Sequence, residues 1–496
     1  MRELFDRNFD LLVIGGGITG CGVARDASMR GLSVALVERD DFASGTSGRS
    51  SRLIHGGIRY LEQGRLHLVY ESIRERQILL TIAPHLVQPL AFTWPIYRGA
   101  RIGRLKLAAG LALYQLMALG RSHRPSLLGA ARTLEREPSL QSKGLKGGAV
   151  YYDAATDDSR LTVATAMSAE DNGAVVVNHT RATRILVDGD RAIGAAVKSQ
   201  LTDEAGEVRA RVVVIATGVW QNARDAIEHG GRLRGSKGVH IAVPRERVGN
   251  REAITMISSV DGRVMFCLPA GTHAIIGTTD TWTDESPENV HAAPADVDYL
   301  LRSANSYFPE ARLTFDDVVS AWAGIRPLVA SPSNNPTAAS REHSIVADAS
   351  GVISVTGGKL TTYRAMAAEV VDGVQQALGQ QVKPAPTDTA PLPAGFRDRD
   401  VSYIAEDDPT LAVPLVEGLP YTGAQLVYGV ERGMAKTLSD LLIRRVHIAF
   451  ETRDHGKSIA PRVADIIAPL LGWDEKTRRA RISEYIADVE RIFAIS

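Results

Sequence analysis

The sequence predicts an α/β protein with a Rossmann-like dinucleotide-binding domain near its N-terminus, then a region of antiparallel strands, then a helical C-terminal portion. Three observations predict it. An apolar strand-type run at 9–14 (FDLLVI) leads straight into Gly15-Gly16-Gly17-Ile18-Thr19-Gly20 and a helix-compatible stretch. Short strand-type runs separated by polar turns recur from about 173 to 355, the pattern of meandering sheets. Beyond residue 396, apolar residues recur at helical spacing.

In the first unit, Gly15 permits the tight turn, Gly17 lets backbone approach a pyrophosphate, and Gly20 permits close helix–strand packing. The helix that opens there, with Thr19 in its first turn, offers N–H groups and a positive dipole end to phosphate. A second buried strand at 33–37 ends at Glu38, 23 residues after Gly15, an acceptor for ribose hydroxyls. Cys21 reads as a small packing residue of the helix. The chain then enters a polar, glycine-rich loop, 40–52, instead of the third strand usual after a nicotinamide site. Its hydroxyls, Thr46, Ser47 and Ser51 among them, suit the phosphate and ribityl oxygens of a longer cofactor. The run 53–61 packs His55, Gly56, Gly57, Arg59 and Tyr60 into six positions, as expected for backbone lying against a flat ring. These features point to FAD.

Composition narrows the function. With 57 Lys+Arg against 57 Asp+Glu the net charge is zero, which argues against a dedicated nucleic-acid binder. Hydrophobic content of 44% and charged content of 23% are those of a globular protein, and the length suggests two to four domains. The two cysteines, Cys21 and Cys267, form no metal-ligand or redox pair, and no metal site is expected. The acid-containing N-terminus has no apolar signal core, and the most apolar stretch, 105–120, is too short to span a bilayer. Those features fit a cytoplasmic location.

Further along, 173–178 reads as a strand followed by Arg181 and Ala182, and 184–197 with 208–216 read as a meander returning to the main sheet, where Thr217 and Gly218 turn the chain beside the cofactor. Strands are expected at 238–243, 264–268 and 274–277. A strand at 352–355 runs into Gly357-Gly358-Lys359-Leu360-Thr361 and a helix through 378. Residues 380–395 hold four prolines and read as a linker. Helices are expected at 424–431, 437–444, 460–471 and 476–493.

The pieces VIGGGITGCGVARDASMRGLSVALVE, SGTSGRSSRLIHGGIRYLE, APHL, IIGTTDT, AGIRPL and GGKLTTYR are spread from residue 10 to about 375. In them the chain resembles the FAD-dependent, respiratory glycerol-3-phosphate dehydrogenases. The resemblance implies a Rossmann-like domain of glutathione-reductase and glycine-oxidase type, assembled from 8–82, 147–232 and 341–380. It implies a substrate domain from 83–146 and 233–340, a linker at 381–395 and a C-terminal helical domain at 396–496. It implies oxidation of sn-glycerol 3-phosphate to dihydroxyacetone phosphate by hydride transfer to flavin N5, with electrons passed to a membrane quinone. Arg59, Tyr60, Arg326, Arg341 and Lys359 are the implied substrate contacts. His55 and His240 both remain candidates for the proton-abstracting base, with Lys359 beside the flavin. Arg181, Ala182, Thr217, Gly218, Gly358, Leu360 and Thr361 complete the cofactor set. The stretch 98–124 carries Arg98, Arg101, Arg104, Lys106, Arg121 and Arg124 and no acid, and suits an interfacial helix on an anionic membrane; a buried helix with solvated basic ends is the competing reading. A peripheral place on the cytoplasmic membrane face follows, and a homodimer is compatible. Two rivals remain: an oxidase that passes electrons to oxygen and releases peroxide, and a flavin-binding scaffold without turnover.

Overall fold

The computed structural model describes residues 1–118, 123–221, 234–328 and 343–496. Two sheets face a common cavity. In the first, Ile353–Gly357, Ala205–Ile215, Asn8–Ile14, Val34–Val37 and Val175–Val177 lie side by side and parallel. His343–Ala347 adds an antiparallel edge, and the hairpin Thr180–Asp188 with Arg191–Ser199 extends from Ala205–Ile215. Leu11 and Val13 pack toward the helices Ile18–Met29 and Tyr363–Ala377, while Leu12 and Ile14 pack toward the hairpin. Burial on both faces is why this strand reads as a continuous apolar run, not an alternating one.

The second sheet runs Thr281–Thr283, Arg234–Pro244, His273–Gly277, Val264–Ala270, Ala253–Ile257, Val87–Tyr97, Leu145–Thr156, Leu53–Ile54. Ser320–Leu328 pairs with Arg234–Pro244, and Ser126–Gly129 with Leu145–Thr156. All pairs are antiparallel except Ala253–Ile257 with Val87–Tyr97. The alternation of side chains sends Val239, Ile241 and Val243 into a core with the helix Pro294–Tyr307. It sends Gly238 and His240 to the cavity wall.

Two expectations need correction. The strand Leu145–Thr156 was expected to begin a return to the nucleotide-binding domain at 147, yet it pairs along its length with Val87–Tyr97 in the second sheet. Its local pattern suits either sheet, and only the long partner strand decides. The proline-rich segment 381–395, read as a linker, is anchored against the nucleotide-binding domain. Thr387 and Leu392 are buried, and the buried Arg25 guanidinium donates to the carbonyls of Thr387 and Ala390. The expected α-helix at 437–444 is a π-helix, Asp440–Arg445. Its wider turn lets the adjacent Arg444 and Arg445 both reach the buried carboxylate of Asp41.

The C-terminal helices Gly423–Glu431, Ala460–Leu471 and Glu475–Ile492 agree with the sequence reading. They share a core with the second sheet, Phe450 packing edge-on against Trp322. Cys21 and Cys267 are buried free thiols.

Candidate active site

A cavity of about 1260 Å³ lies between the two sheets. At one end it is floored by the glycine turn. Gly15 adopts φ +111°, and a Cβ on Gly20 would sit 1.9 Å from the Gly15 carbonyl oxygen. The turn and helix therefore touch backbone to backbone, which leaves Gly17 and Thr19 on the cavity wall at the N-terminus of Ile18–Met29. Ser47 Oγ accepts from the Ile18 N–H at 2.9 Å, so the polar loop is folded over that helix end. Of the expected cofactor residues, all but Gly20 line the cavity; Gly20 lies beneath the turn as a packing contact.

Glu38 is placed as expected but bonded differently. Its two carboxylate oxygens accept from the Gly16 N–H at 2.5 Å and the Asp40 N–H at 2.8 Å, so it ties the glycine turn to the end of the second strand. Burial pushes its pKa up to about 6 despite these bonds. The sign of the resulting pH dependence follows. Folding favours the protonated acid, so this group's contribution to stability is present at low pH and is lost as pH rises through about 6. A ribose diol donating to Glu38 favours the ionised form instead. FAD affinity is therefore expected to weaken as pH falls below about 6, by up to about tenfold per pH unit. Fluorescence titration of the apoprotein between about pH 5 and 7.5 checks this; an unchanged slope in Glu38→Gln would assign the effect elsewhere.

At the other end, strands of the second sheet present Gly238, His240, Gly324 and Arg326, the loop after His273–Gly277 presents Thr278 and Asp280, and the turns at 55–60 and 357–361 close over them. His240 is 2% exposed. It stacks on the Trp322 ring at 5.5 Å between centroids, and its Nε2 lies 2.8 Å from Ser51 Oγ. Among the described residues its buried Nδ1 has no hydrogen-bond partner. Burial, then the positive charges of Arg326 and Arg52, push its pKa down to about 3, so the imidazole is neutral. Arg326 Nη2 donates to Thr278 Oγ1 at 2.9 Å, and Nη1 lies 3.4 Å from Asp280 Oδ1. Lys359 Nζ donates to Ser72 Oγ at 3.2 Å and lies 4.2 Å from the Tyr60 ring centroid. The His55 N–H donates to Thr361 Oγ1 at 3.1 Å, which joins the two closing turns.

Within the protein, Thr46 Oγ1 donates to the Ile325 carbonyl at 2.6 Å, and Ser51 Oγ meets His240. The side chain of Arg59, and Arg341 as a whole, lie outside the described residues.

Sequence reasoning missed several lining groups. Arg49 lies on the wall with its pKa held down to about 10, chiefly by burial and then by Arg491 and Arg444. Arg39 lies over the Trp220 ring and reaches Glu288, which also accepts from Trp220 Nε1. Asp153 is also on the wall. A lone acid inside the apolar strand GGAVYYDAA was the available signal for it.

The comparisons with known proteins fit this geometry. A family described as FAD dependent oxidoreductase matches residues 10–364, and one described as C-terminal domain of alpha-glycerophosphate oxidase matches 395–478. Glycerol-3-phosphate dehydrogenase 2 of Mycobacterium tuberculosis is 38% identical, over 99% of this chain and 89% of that one. The chain belongs to the FAD-dependent glycerol-3-phosphate dehydrogenase family. Within that family, the aerobic glycerol-3-phosphate dehydrogenase of Bacillus subtilis is 32% identical over 96% of this chain and 94% of its own. The solved glycerol-3-phosphate dehydrogenase of Bacillus halodurans, complexed with FAD, superposes with TM-score 0.80 at 31% identity, covering all of this chain and 98% of that one. Glycine oxidase of Geobacillus kaustophilus, at 20% identity and TM-score 0.57, shares the fold over 79% of this chain. The chain is thus an FAD-dependent oxidoreductase of glycine-oxidase-like fold with an added helical C-terminal domain.

Proposed function

We propose that the chain oxidises sn-glycerol 3-phosphate to dihydroxyacetone phosphate and passes the electrons to a membrane quinone. The carrying observation is one cavity in which a dinucleotide cradle meets two cations, Arg326 and Lys359, and a buried neutral imidazole, His240. FAD, when bound, accepts the hydride. The chain's own residues do the rest. Arg326, with its planar fork, suits the phosphate, joined by Arg59, Tyr60 and Arg341 as the resemblance implies. Lys359 orients a substrate hydroxyl. His240 takes the proton of the secondary hydroxyl. Arg52 and Arg326 oppose that protonation, and a phosphate dianion bound at Arg326 offsets the second of them.

Anaerobic titration of the purified holoprotein tests the reading. Glycerol 3-phosphate is expected to bleach the bound flavin, with glycerol and 2-hydroxy acids without effect; failure to bleach would revive the scaffold. Reoxidation by a quinone dye without peroxide supports the dehydrogenase. Stoichiometric peroxide would favour the oxidase, a reading encouraged by the oxidase-type C-terminal family match.

The helix Arg104–Met117 supports a membrane partner. It buries Leu107, Leu111 and Tyr114, and leaves Leu105, Leu113 and Leu116 exposed, Leu105 at 87%. Leu105 and Leu116 share one helical face with the exposed Ala109 and Ala112. Arg104 and Lys106 flank that face, and Glu62 pairs with Arg101 and Lys106, which reduces the basic field. Arg121 lies outside the described residues. Among the described residues no helix is long and apolar enough to cross a membrane. We expect flotation with anionic vesicles, lost when Leu105 and Leu116 both become Ser; undiminished flotation of that variant would reject this face.

A further inference from the structure

A buried polar cluster sits behind the turn that carries His55, Arg59 and Tyr60. Asp153, on the strand Leu145–Thr156, is 5% exposed and lines the cavity. Its Oδ1 accepts from three donors: the Gly56 N–H at 3.0 Å, the Tyr114 hydroxyl at 2.6 Å, and Arg76 Nη1 at short range. Arg76 Nη1 also donates to Tyr114 Oη and to the Tyr152 carbonyl, each at 3.0 Å. Burial pushes the Tyr114 phenol well up, so it keeps its proton and donates. The neighbouring Asp153 carboxylate and the Tyr114 hydroxyl hold the Arg76 guanidinium charged.

The space at Gly56 is spoken for. A Cβ there would lie 2.1 Å from Tyr114 Oη and 2.7 Å from Ile73 Cγ1. The next residue, Gly57, takes the left-handed φ of +73°, and a Cβ on it would meet the Tyr60 ring at 2.5 Å. Asp153 thus holds Gly56, Gly57 turns the chain, and Tyr60 is folded back under Lys359. On the other side, the His55 N–H is tied to Thr361. The turn is clamped at two consecutive residues, by a strand of the second sheet and by the turn that follows Ile353–Gly357.

We propose that Asp153 and Tyr114 are positioning residues for the substrate turn: the Asp153–Tyr114–Arg76 cluster fixes Gly56, and through it sets Tyr60 and the 55–60 turn against Lys359. A buried ion pair adds little net stability over apolar packing of equal volume, so geometry is the better account of what this cluster contributes. The helix that carries Tyr114 is the same one whose opposite face exposes Leu105 and Leu116.

The proposal rests on the glycerol 3-phosphate reading, and the test separates the two. Holoprotein variants Tyr114→Phe and Asp153→Asn are compared with Tyr97→Phe, a half-buried tyrosine whose buried hydroxyl has no hydrogen-bond partner among the described residues. Anaerobic stopped-flow reduction gives the substrate Kd and the limiting rate separately, visible circular dichroism reports the bound flavin, and thermal melts report stability. In Tyr114→Phe and Asp153→Asn we expect Kd for glycerol 3-phosphate to rise about tenfold or more, as for loss of a hydrogen bond to a charged group, with a smaller fall in limiting rate. The flavin dichroism is expected to change, with FAD content retained, and Tyr97→Phe to behave as wild type. If Asp153→Asn does not fold, Tyr114→Phe alone carries the test. Kd and dichroism unchanged within about twofold in Tyr114→Phe, or losses that follow melting temperature alone, would overturn the proposal. Wild-type flavin that glycerol 3-phosphate does not reduce would instead defeat the substrate reading, with the dichroism of Tyr114→Phe still deciding the positioning role.

Discussion

His240→Asn is expected to slow anaerobic flavin reduction by glycerol 3-phosphate by about 100-fold or more, the usual weight of a positioned general base. The expectation follows from three features of the side chain. It is kept unprotonated, chiefly by burial and then by Arg326 and Arg52, so it is in the proton-accepting form across the working pH range. One ring nitrogen is engaged by Ser51, and the other has no partner among the described residues. Its ring is held flat against Trp322, which fixes where those nitrogens point. Asparagine can keep a bond to Ser51 but cannot take the proton, so FAD content should stay at the wild-type level while the rate collapses. His55→Asn is the comparison, because the bond from His55 to Thr361 uses backbone N–H and survives the change. A His240→Asn enzyme reduced at the wild-type rate would remove His240 as the base, and a collapse confined to His55→Asn would transfer the role.

Gly20→Ala is expected to yield protein that carries no FAD. The added Cβ would lie 1.9 Å from the Gly15 carbonyl oxygen, a backbone atom. Gly15 cannot retreat: its N–H donates to the Val37 carbonyl at 2.8 Å, and its own side-chain position is already 2.6 Å from the Ala216 carbonyl oxygen. The helix must then move off the turn, opening the contact that holds Gly17 and Thr19 on the cavity wall. Overpacking of this kind costs about 1–3 kcal/mol in an ordinary core, and here the strain falls on the cofactor cradle itself. The absorbance ratio of flavin to protein after purification reads the outcome, and added FAD should not restore it. Gly110→Ala is the matched control. Gly110 lies in the helix Arg104–Met117 with nothing within 4 Å of an added Cβ, so the same substitution should keep FAD and add up to about 1 kcal/mol of stability. Gly20→Ala purified with full flavin would show that the turn yields.

Several parts of this protein were legible from residue order because the information is local. The glycine turn, its flanking strands and Glu38 fall within residues 9–38, and each role depends on spacing within that stretch. The helices at Ala460–Leu471 and Glu475–Ile492 were legible for the same reason, since apolar periodicity is carried by neighbours in sequence. The prolines of 380–395 exclude helix and strand interiors without saying what the segment packs against; Arg25, over 360 positions away, supplies the anchor.

What residue order settled about this protein, then, is that it carries a dinucleotide-type glycine turn and belongs with the FAD-dependent oxidoreductases. What only the tertiary structure decided is their state and company. His240 is neutral chiefly because its ring is buried, and then because Arg326 and Arg52 are brought beside it; its orientation comes from Trp322 and Ser51, none of them its neighbours in sequence. Asp153 holds the turn at Gly56 across 97 positions. The paired Arg444 and Arg445 turn inward only because a π-turn meets the buried Asp41. The physical reason is the same each time. Spacing along a strand or turn fixes local backbone geometry, whereas burial and through-space charge depend on which distant segments fold against it.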